Sequence, residues 1–329
     1  MSLEKYGVLK GSPVEFKTEG KKPHLQIRIR AKGEDYRIAL NVQSTSIPPE
    51  LKYLILKDFK HPFTDQLTKL EDGITLKDDN MSIGIDYIRE NFFDYHGMKI
   101  AHHISADDNE VSDTIQLYLD KAMNNSEAKV YAFGQAWENK EGKDRYFPSI
   151  PDQGIHDIHM NQGNAGGWLK DNGIFQDGAL FIHFPGVGAE DRWVAVFLAF
   201  QSQSFHTDDN TGNPLPDVDD SDEKKVVIVS SLINSKFGKS NISLLNRSDK
   251  EVSLEGWSIF GGHDNKKILF GVLEAGEFLK IELEENEFAF SEKGGIITLL
   301  NQDDIKMDGV SYTTPDYYRT GYTVCFRTE

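Results

Sequence analysis

The order of hydrophobic and polar residues predicts a chain built mainly from β-strands. Apolar and polar residues alternate over 8–16 and again over 24–42, where Gly33 marks a turn and indicates a hairpin. Later strands are expected at 129–137, 179–184 and 193–205. The last of these is apolar on both faces through Phe200, which favours a central position in a covered sheet.

One helix is predicted clearly, at residues 112–124. Ser112 is a suitable N-cap, and apolar residues recur after it in a mixed stripe. These residues are Ile115, Leu117, Leu119, Ala122 and Met123. The pattern therefore predicts a β-rich domain with a few helices, one of which packs on the strands.

The composition changes between residues 208 and 223, where acidic residues and turn-forming prolines replace the apolar pattern. Roughly seven short strands with turns between them then follow over about 100 residues, which is typical of an antiparallel β-sandwich. We therefore expect a β-rich first domain at 1–213, an acidic linker at 214–225 and an antiparallel sandwich at 226–329.

The segment 152–167 combines polar side chains with glycines, and it is the predicted functional site. It contains His156 and His159, three residues apart, and acid and amide groups crowd beside them. These are Asp157, Asn161, Gln162 and Asn164. Burying so many polar groups without partners is costly, and glycine lets the backbone turn tightly or approach a ligand. An ordinary hydrogen-bonded turn is the structural alternative.

Histidines in the next two predicted strands extend this site. His183 lies inside an apolar strand, and His206 ends the following strand shortly before Asp208. Together with His156 and His159 they form a predicted metal site, because imidazoles and carboxylates together suit Zn, Mn, Fe or Ni. Gln201, Gln203 and Asn164 are the predicted substrate contacts. The structural alternatives are a core position for His183 and a strand-capping role for His206 and Asp208.

Two kinds of catalysis fit these residues. A bound metal would generate hydroxide and polarise a phosphoryl or carbonyl oxygen. Without a metal, His159 would act as a general base while Asn161 or Gln162 holds an oxyanion. A serine nucleophile is disfavoured because the chain has no Gly-x-Ser-x-Gly elbow. Residues 186–191 lack the Lys-Ser/Thr ending of a nucleotide-binding P-loop.

The overall charge limits the partners. A formal net charge of −17 and a pI near 5.0 disfavour a general basic surface for phosphate backbones. Nucleic acid is therefore expected only as a substrate, held with the help of a bound cation. Cys325 is the only cysteine, so no intrachain disulfide forms. No apolar run approaches the ~20 residues of a membrane span, and the first residues contain no signal-peptide core. We expect a cytoplasmic protein, with non-classical secretion as the alternative.

Six motifs in the first domain occur in an order that resembles the bacterial YukJ-like family over about 5–213. They are YGVLKG (6–11), HLQIRI (24–29), VYAFG (130–134), GIHDIHMNQGN (154–164), DGALFIHFP (177–185) and WVAVFLAFQSQSFHTDD (193–209). That family has no assigned reaction, so the resemblance implies kinship and no particular chemistry.

The second domain resembles the lamin-tail domain, an immunoglobulin-like sandwich. The resemblance rests on residues 242–259, 275–281 and 294–312, in which Leu254, Gly256, Trp257 and the pair Gly294-Gly295 stand out. As a class such domains carry no catalytic residues, and in bacteria they are often attached to hydrolases and nucleases, which is an association only.

These observations predict a metal-dependent hydrolase of a small-molecule or phosphoester substrate, most concretely a phosphodiesterase or nuclease. The lamin-tail-like domain would be a targeting or scaffolding module. The alternative is a non-catalytic binding protein that recognises a sugar, a peptide or a cell-envelope component. A metal site requires His156, His159 and His206 to converge, with His183 or Asp208 close by.

Overall fold

The structure is a computed structural model that describes residues 5–18, 24–43, 51–76, 92, 97–101, 110–157, 178–186, 191–200, 225–234, 239–261, 265–284, 288–302 and 306–326. The described residues divide into two compact units. The first lies within Met1–Lys60, Asp65–Asp86 and His96–Phe205, and the second within His61–Thr64, Tyr87–Tyr95 and His206–Glu329. The predicted linker lies outside the described residues except for Lys225, so its limits stay a prediction.

Strands dominate residues 5–200. In chain order the elements are β1 (Tyr6–Thr18), β2 (His24–Ala31), β3 (Glu34–Asn41), β4 (Leu51–Leu56), α1 (Phe63–Thr68), β5 (Gly73–Leu76), β6 (Lys99–Ile100), α2 (Glu110–Met123), β7 (Lys129–Lys143), β8 (Pro151–His156), β9 (Gly178–Phe184) and β10 (Arg192–Phe200). The predicted hairpin is confirmed: β2 and β3 pair antiparallel across Lys32 and Gly33. Both turn residues have positive φ, 49° and 86°, as a tight hairpin turn of this type requires.

Five strands of the first unit close into a barrel. The first half of β1 pairs with β7 and its second half with β2. Gly11 pairs with Val130 of β7 and also lies against the end of β2, so β2 and β7 occupy opposite sides of β1. β3 pairs in parallel with β8, and β8 pairs with β7. The closed order is therefore β1-β2-β3-β8-β7.

This connectivity is that of the OB-fold, a five-stranded Greek-key barrel. The third and fifth barrel strands, β3 and β8, are parallel, and α2 lies in sequence between the third and fourth, β3 and β7. The helix packs against β1 and against β9. β9, β10, β4 and β6 continue the sheet outward from β7.

Alternation along the strands separates an inner from an outer face of the barrel. Apolar side chains of alternate residues form the buried core with α2; they include Leu25, Ile27, Ile29, Ile38, Leu40, Ile115, Leu119 and Ile155. The intervening residues of β2, which are His24, Gln26 and Arg28, therefore project from the outer face. Side chains on this outer face are polar because they point away from the apolar core. The candidate site, which includes His24, therefore lies outside the barrel.

Three local predictions are wrong. Ser112 is not the N-cap of α2, because the helix already includes Glu110; its buried hydroxyl accepts a hydrogen bond from Gln116 Nε2 at 2.9 Å. Leu117 is 51% exposed, and Tyr118 takes the buried position instead. The segment that starts at Asp152 is not a loop at its beginning, since β8 runs through His156. The strands predicted at 179–184 and 193–205 are confirmed as far as they are described.

The second unit contains all seven predicted strands. Its elements are β11 (Val226–Leu232), β12 (Ser240–Asn246), β13 (Val252–Ser253), β14 (Ser258–Phe260), β15 (Lys266–Ile268), β16 (Val272–Leu273), β17 (Phe278–Leu283), β18 (Gly295–Leu300), β19 (Lys306–Tyr312), α3 (Thr314–Tyr318) and β20 (Val324–Cys325). Sheet β17-β12-β11-β20 and sheet β15-β14-β18-β19 contribute to one buried core. The mainly β architecture with a C-terminal sandwich is therefore confirmed.

Two absences among the described residues match the sequence. No helix of the described residues is long and apolar enough to cross a membrane. Cys325 is a free, exposed thiol.

Candidate functional site

His24, His156 and Asp157 meet on the outer face of the barrel. His24 opens β2 and His156 ends β8, with β3 between the two strands. Their rings lie edge to face with centroids 4.8 Å apart. One ligand atom from each of the three residues lies within 4.8 Å of the others. Two imidazoles and a carboxylate thus form a potential metal-binding group.

The carboxylate of Asp157 is fully buried and held by Asn41 at the end of β3. It accepts hydrogen bonds from the Asn41 backbone N–H at 2.9 Å and from Asn41 Nδ2 at 3.1 Å. The Asp157 backbone N–H donates to the carbonyl of Ala39 at 3.1 Å, which extends the pairing beyond β8. Because these bonds fix Asp157, they also limit the positions that the neighbouring His156 ring can take.

Asp157 orients the His156 ring. His156 Nδ1 lies 2.6 Å from the backbone oxygen of Asp157 and 3.3 Å from its Oδ1. Since both neighbours are acceptors, Nδ1 carries a hydrogen, and Nε2 is the ring nitrogen whose lone pair could bind a metal. Metal-ligating histidines usually donate their second N–H to a carboxylate or carbonyl in this way.

Burial and charge act in opposite directions on this pair. Burial would lower the pKa of His156, but the hydrogen bond to Asp157 and its negative charge outweigh burial and raise the pKa above the ordinary value. Burial would raise the pKa of Asp157, but the hydrogen bond and charge of His156, the Asn41 amide and the charge of His24 lower it. The carboxylate is therefore favoured in its ionised form, and a metal at His156 would compete with its protonation.

The residues fit a transition metal after a small movement. Ligand atoms at ~2.0–2.1 Å from one ion lie about 3.4 Å apart in a tetrahedral site. The potential ligand atoms of His24, His156 and Asp157 lie within 4.8 Å of one another, which is a wider spacing. A rotation of the His24 side chain, which moves its nitrogen by about 1–2 Å, would close this gap. The donor set suits Zn, Mn, Fe or Ni better than Mg or Ca.

Gln135 of β7 adds an acceptor to the same face. It pairs with His156 in the sheet, so the two side chains project from one side. Its Oε1 is buried and accepts no hydrogen bond from the part of the chain that the structure describes. A buried acceptor without a partner is unusual, and a water or substrate donor would satisfy it.

His183 lies in a different place. It pairs with Lys129 at one end of β7, whereas His156 pairs with Gln135 six residues further along that strand. At ~3.3 Å per residue this separates the two histidines by about 20 Å, which one ion does not span. His183 instead stacks on Trp193 with ring centroids 4.2 Å apart, and its Nε2 bonds Asp191 Oδ2 at 3.0 Å.

The remaining predicted site residues lie outside the described residues. They are His159, Asn161, Gln162, Asn164, Gln201, Gln203, His206 and Asp208. Their convergence with His156 therefore stays a prediction. Within the described residues, the structure brings His24 and Asp157 to His156 and does not bring His183 there.

Comparison with known proteins places this site inside one family. The sequence profile described as "Uncharacterized conserved protein (DUF2278)" matches residues 1–212. The chain belongs to this family. It is also 40% identical over 228 residues to "Uncharacterized protein YukJ" of Bacillus subtilis (strain 168), which covers 67% of this chain and 97% of YukJ. The YukJ-like resemblance of the first domain is therefore confirmed.

The DUF2278 region contains the whole described site, and β11 to β20 lie beyond it. The lamin-tail resemblance of the second unit stays a prediction.

Sequence reasoning missed His24 as part of the DUF2278 site. Its only signal is its place at the start of HLQIRI, where alternation puts it on the polar face with Gln26 and Arg28. The contact with His156 depends on the parallel pairing of β3 with β8, which no local pattern reveals. Asp157 was visible as part of the polar segment, but its role beside Asn41 was not.

Proposed function

We propose that this DUF2278 protein is a metal-dependent hydrolase of phosphodiesters, with a phosphodiesterase or nuclease activity. The observation that carries the proposal is the convergence of His24, His156 and Asp157 within 4.8 Å on the outer face of the barrel. The buried and orienting Asp157 adds support, because second-shell carboxylates tune metal-bound histidines.

In this proposal the ring nitrogens of His24 and His156 hold the ion, and Asp157 fixes the His156 ring. The ion would lower the pKa of a bound water and polarise a phosphoryl oxygen. Gln135 would accept a hydrogen bond from that water or from the substrate. His159, His206 and Asp208 remain predicted ligands that would complete the coordination.

Single substitutions in the full-length protein test this function. His24→Gln and His156→Gln should each weaken Zn or Mn binding at least 10-fold and abolish hydrolysis of bis(p-nitrophenyl) phosphate, because second-shell and ligand losses cost 10–100-fold in affinity. His183→Gln is the matched control, since it removes an imidazole from the same sheet about 20 Å away and should leave both properties unchanged.

Retention of metal and activity by both His24→Gln and His156→Gln, with folding intact, would rule the proposal out. Equal losses in all three variants would point to a structural effect.

The barrel topology favours a second candidate, a non-catalytic binding protein, because OB-folds use the face formed by strands 2–3 to bind oligonucleotides and oligosaccharides. The ligand of this second candidate would be a sugar, a peptide or a cell-envelope component. It is supported if no divalent metal binds and no phosphodiester is hydrolysed while a ligand still protects the barrel from thermal unfolding.

We further propose the second unit as a lamin-tail-like targeting or scaffolding module, in a cytoplasmic protein. Its two-sheet core supports a sandwich of this kind. Removal of residues 226–329 should then leave hydrolysis by the first unit intact and change only where the protein is found in cells.

A further inference from the structure

Arginine and aromatic side chains alternate beside the histidine site. The guanidinium of Arg37 lies over the Trp137 ring at 4.6 Å and over the Tyr146 ring at 4.9 Å. Arg145 lies on Tyr146 at 5.8 Å. We call these four residues, Arg37, Trp137, Arg145 and Tyr146, the arginine–aromatic ladder.

The inner part of the ladder is rigid. Arg37 is 13% exposed and donates from Nε to Asp144 Oδ2 at 2.5 Å and from Nη1 to Gln26 Oε1 at 2.7 Å. Gly154, the cross-strand partner of both Arg37 and Trp137, leaves room for the indole; an added Cβ would meet Trp137 Cη2 at 2.7 Å. Trp137 and Tyr146 are partly exposed, so both rings reach the surface beside the hydrogen-bonded Arg37.

Lys17 lies beside the ladder, and both Lys17 and Arg145 of the ladder are exposed cations without a carboxylate partner among the described residues. Lys17 donates to the backbone oxygen of Tyr146 at 2.7 Å and lies over the Phe147 ring at 4.7 Å. Arg28 and Arg30 lie on the same outer face and share Asp35. Glu15, Asp35 and Asp144 pair with the arginines of this face, so Lys17 and Arg145 carry the positive charge that is left for a ligand.

The ladder leads to the histidine site along β3. Arg37 and Ala39 are successive outward positions of that strand, and Ala39 pairs with His156. Two residues of strand span about 7 Å, so the ladder and His156 occupy neighbouring positions on the outer face.

We propose that the arginine–aromatic ladder binds single-stranded nucleic acid. Unpaired bases stack on aromatic rings whatever their sequence, and a cationic groove follows the phosphates. The rings of Trp137 and Tyr146 supply the stacking surface, and Lys17 and Arg145 contact phosphates. Bases in a duplex already stack on each other, which favours the single strand. Binding of the strand does not depend on the proposed function. Only its cleavage rests on that function, because the bound strand would then be the substrate of the histidine site.

Binding is measured with the full-length protein in EDTA, by the fluorescence anisotropy of a labelled oligothymidylate of about 20 nucleotides, longer than the 4–16 nucleotides that one OB-fold covers. Without metal no cleavage occurs, so failure of the hydrolase proposal does not affect the result. We expect tighter binding to the single strand than to a duplex of equal length. Affinity should fall with salt, and Lys17→Ala or Arg145→Ala should each reduce the log–log slope by about 0.7.

Tyr146→Leu should weaken binding about 5-fold or more, whereas Tyr146→Phe should retain it, because stacking requires the ring and not the hydroxyl. Lys121→Ala is the matched control: Lys121 also lies over a tyrosine ring, that of Tyr118 at 5.0 Å, but on α2. It should leave binding unchanged.

Three outcomes would overturn the proposal: no binding to the single strand, equal affinity for the duplex, or equal displacement by polyglutamate or a neutral oligosaccharide. Unchanged binding in both Arg145→Ala and Tyr146→Leu would also overturn it.

Discussion

At the scale of single residues, the site depends on a buried charge and its neighbours. The density of polar side chains around His156 was enough to predict a site there, because such groups are costly to bury unpaired. The assignment of His183 to that site was wrong. The sequence of an apolar strand does not show how far its histidine lies from the histidine of another strand. The stack of His183 on Trp193 shows the packing role that the pattern left open.

Asp157→Asn should lower the free energy of unfolding by about 1–3 kcal/mol, because the neutral amide presents an extra donor where His156 and both Asn41 donors require acceptors. Urea unfolding measures this change. Asp152→Asn is the control: Asp152 is partly exposed and accepts from Trp137 Nε1, a bond that the amide oxygen can still accept. An equal loss of unfolding free energy in Asp152→Asn would show that the effect does not depend on the buried hydrogen bonds around Asp157.

The titration of His183 should appear in the pH dependence of stability. Burial lowers the pKa of His183, and the hydrogen bond and charge of Asp191 offset burial only in part. The unfolded chain therefore binds a proton more readily, and stability falls as pH drops below the unfolded value near 6.5. His183→Phe keeps an aromatic ring on Trp193 but cannot titrate.

The unfolding free energies of the wild type and of His183→Phe are measured at about pH 7.5 and at about pH 5.5, and the two changes are compared. The wild type should lose more than His183→Phe, by at most about 1.4 kcal/mol per pH unit. If stability changed with pH equally in the two proteins, His183 would not contribute to the pH dependence of stability.

At the scale of elements, alternation predicted the strands well, but it did not predict how they close. The β2–β3 hairpin followed from a local turn at Gly33, and the covered position of β10 followed from its apolar faces. Barrel closure instead depends on Arg37 lying beside Gly154 in a parallel pair, a contact between distant parts of the chain. The start of α2 was misplaced because Ser112 is buried within the helix, where a serine is less common than at a cap.

Gly154→Ala should destabilise the barrel by about 3 kcal/mol or more, because the new Cβ would overlap the carbonyl oxygen of Arg37 and force β3 and β8 apart. Thermal and urea unfolding measure the loss. Gly97→Ala is the control, since no atom of the described residues lies within 4 Å of a Cβ at that position, and its effect should stay within about 0.5 kcal/mol. A tolerated Gly154→Ala would mean that the parallel pair adjusts without cost.

At the scale of the whole molecule, composition and strand spacing were enough to predict a mainly β chain with a C-terminal sandwich. Seven of the ten described strands of the second unit were recognisable, because each is a short apolar run between turns. Their arrangement into two sheets follows from burial on one side of each sheet. The short β13, β16 and β20 were missed, because strands of two residues are too short to show alternation.

Among the described residues, the buried cluster of the second unit extends from Val226 to Tyr312. We therefore expect a fragment of residues 225–329 to fold by itself, with cooperative urea unfolding and dispersed amide proton resonances. Pro62, which belongs to the same unit and lies beside Gly294, is absent from this fragment, but it is not part of the buried core. Within the fragment, Ile297→Ala should cost about 2–5 kcal/mol because Ile297 is fully buried. Phe270→Ala, at a side chain that is 69% exposed, should change stability by no more than about 0.5 kcal/mol. A fragment that unfolds without cooperativity, or equal effects of the two substitutions, would show that the sandwich requires residues before 225.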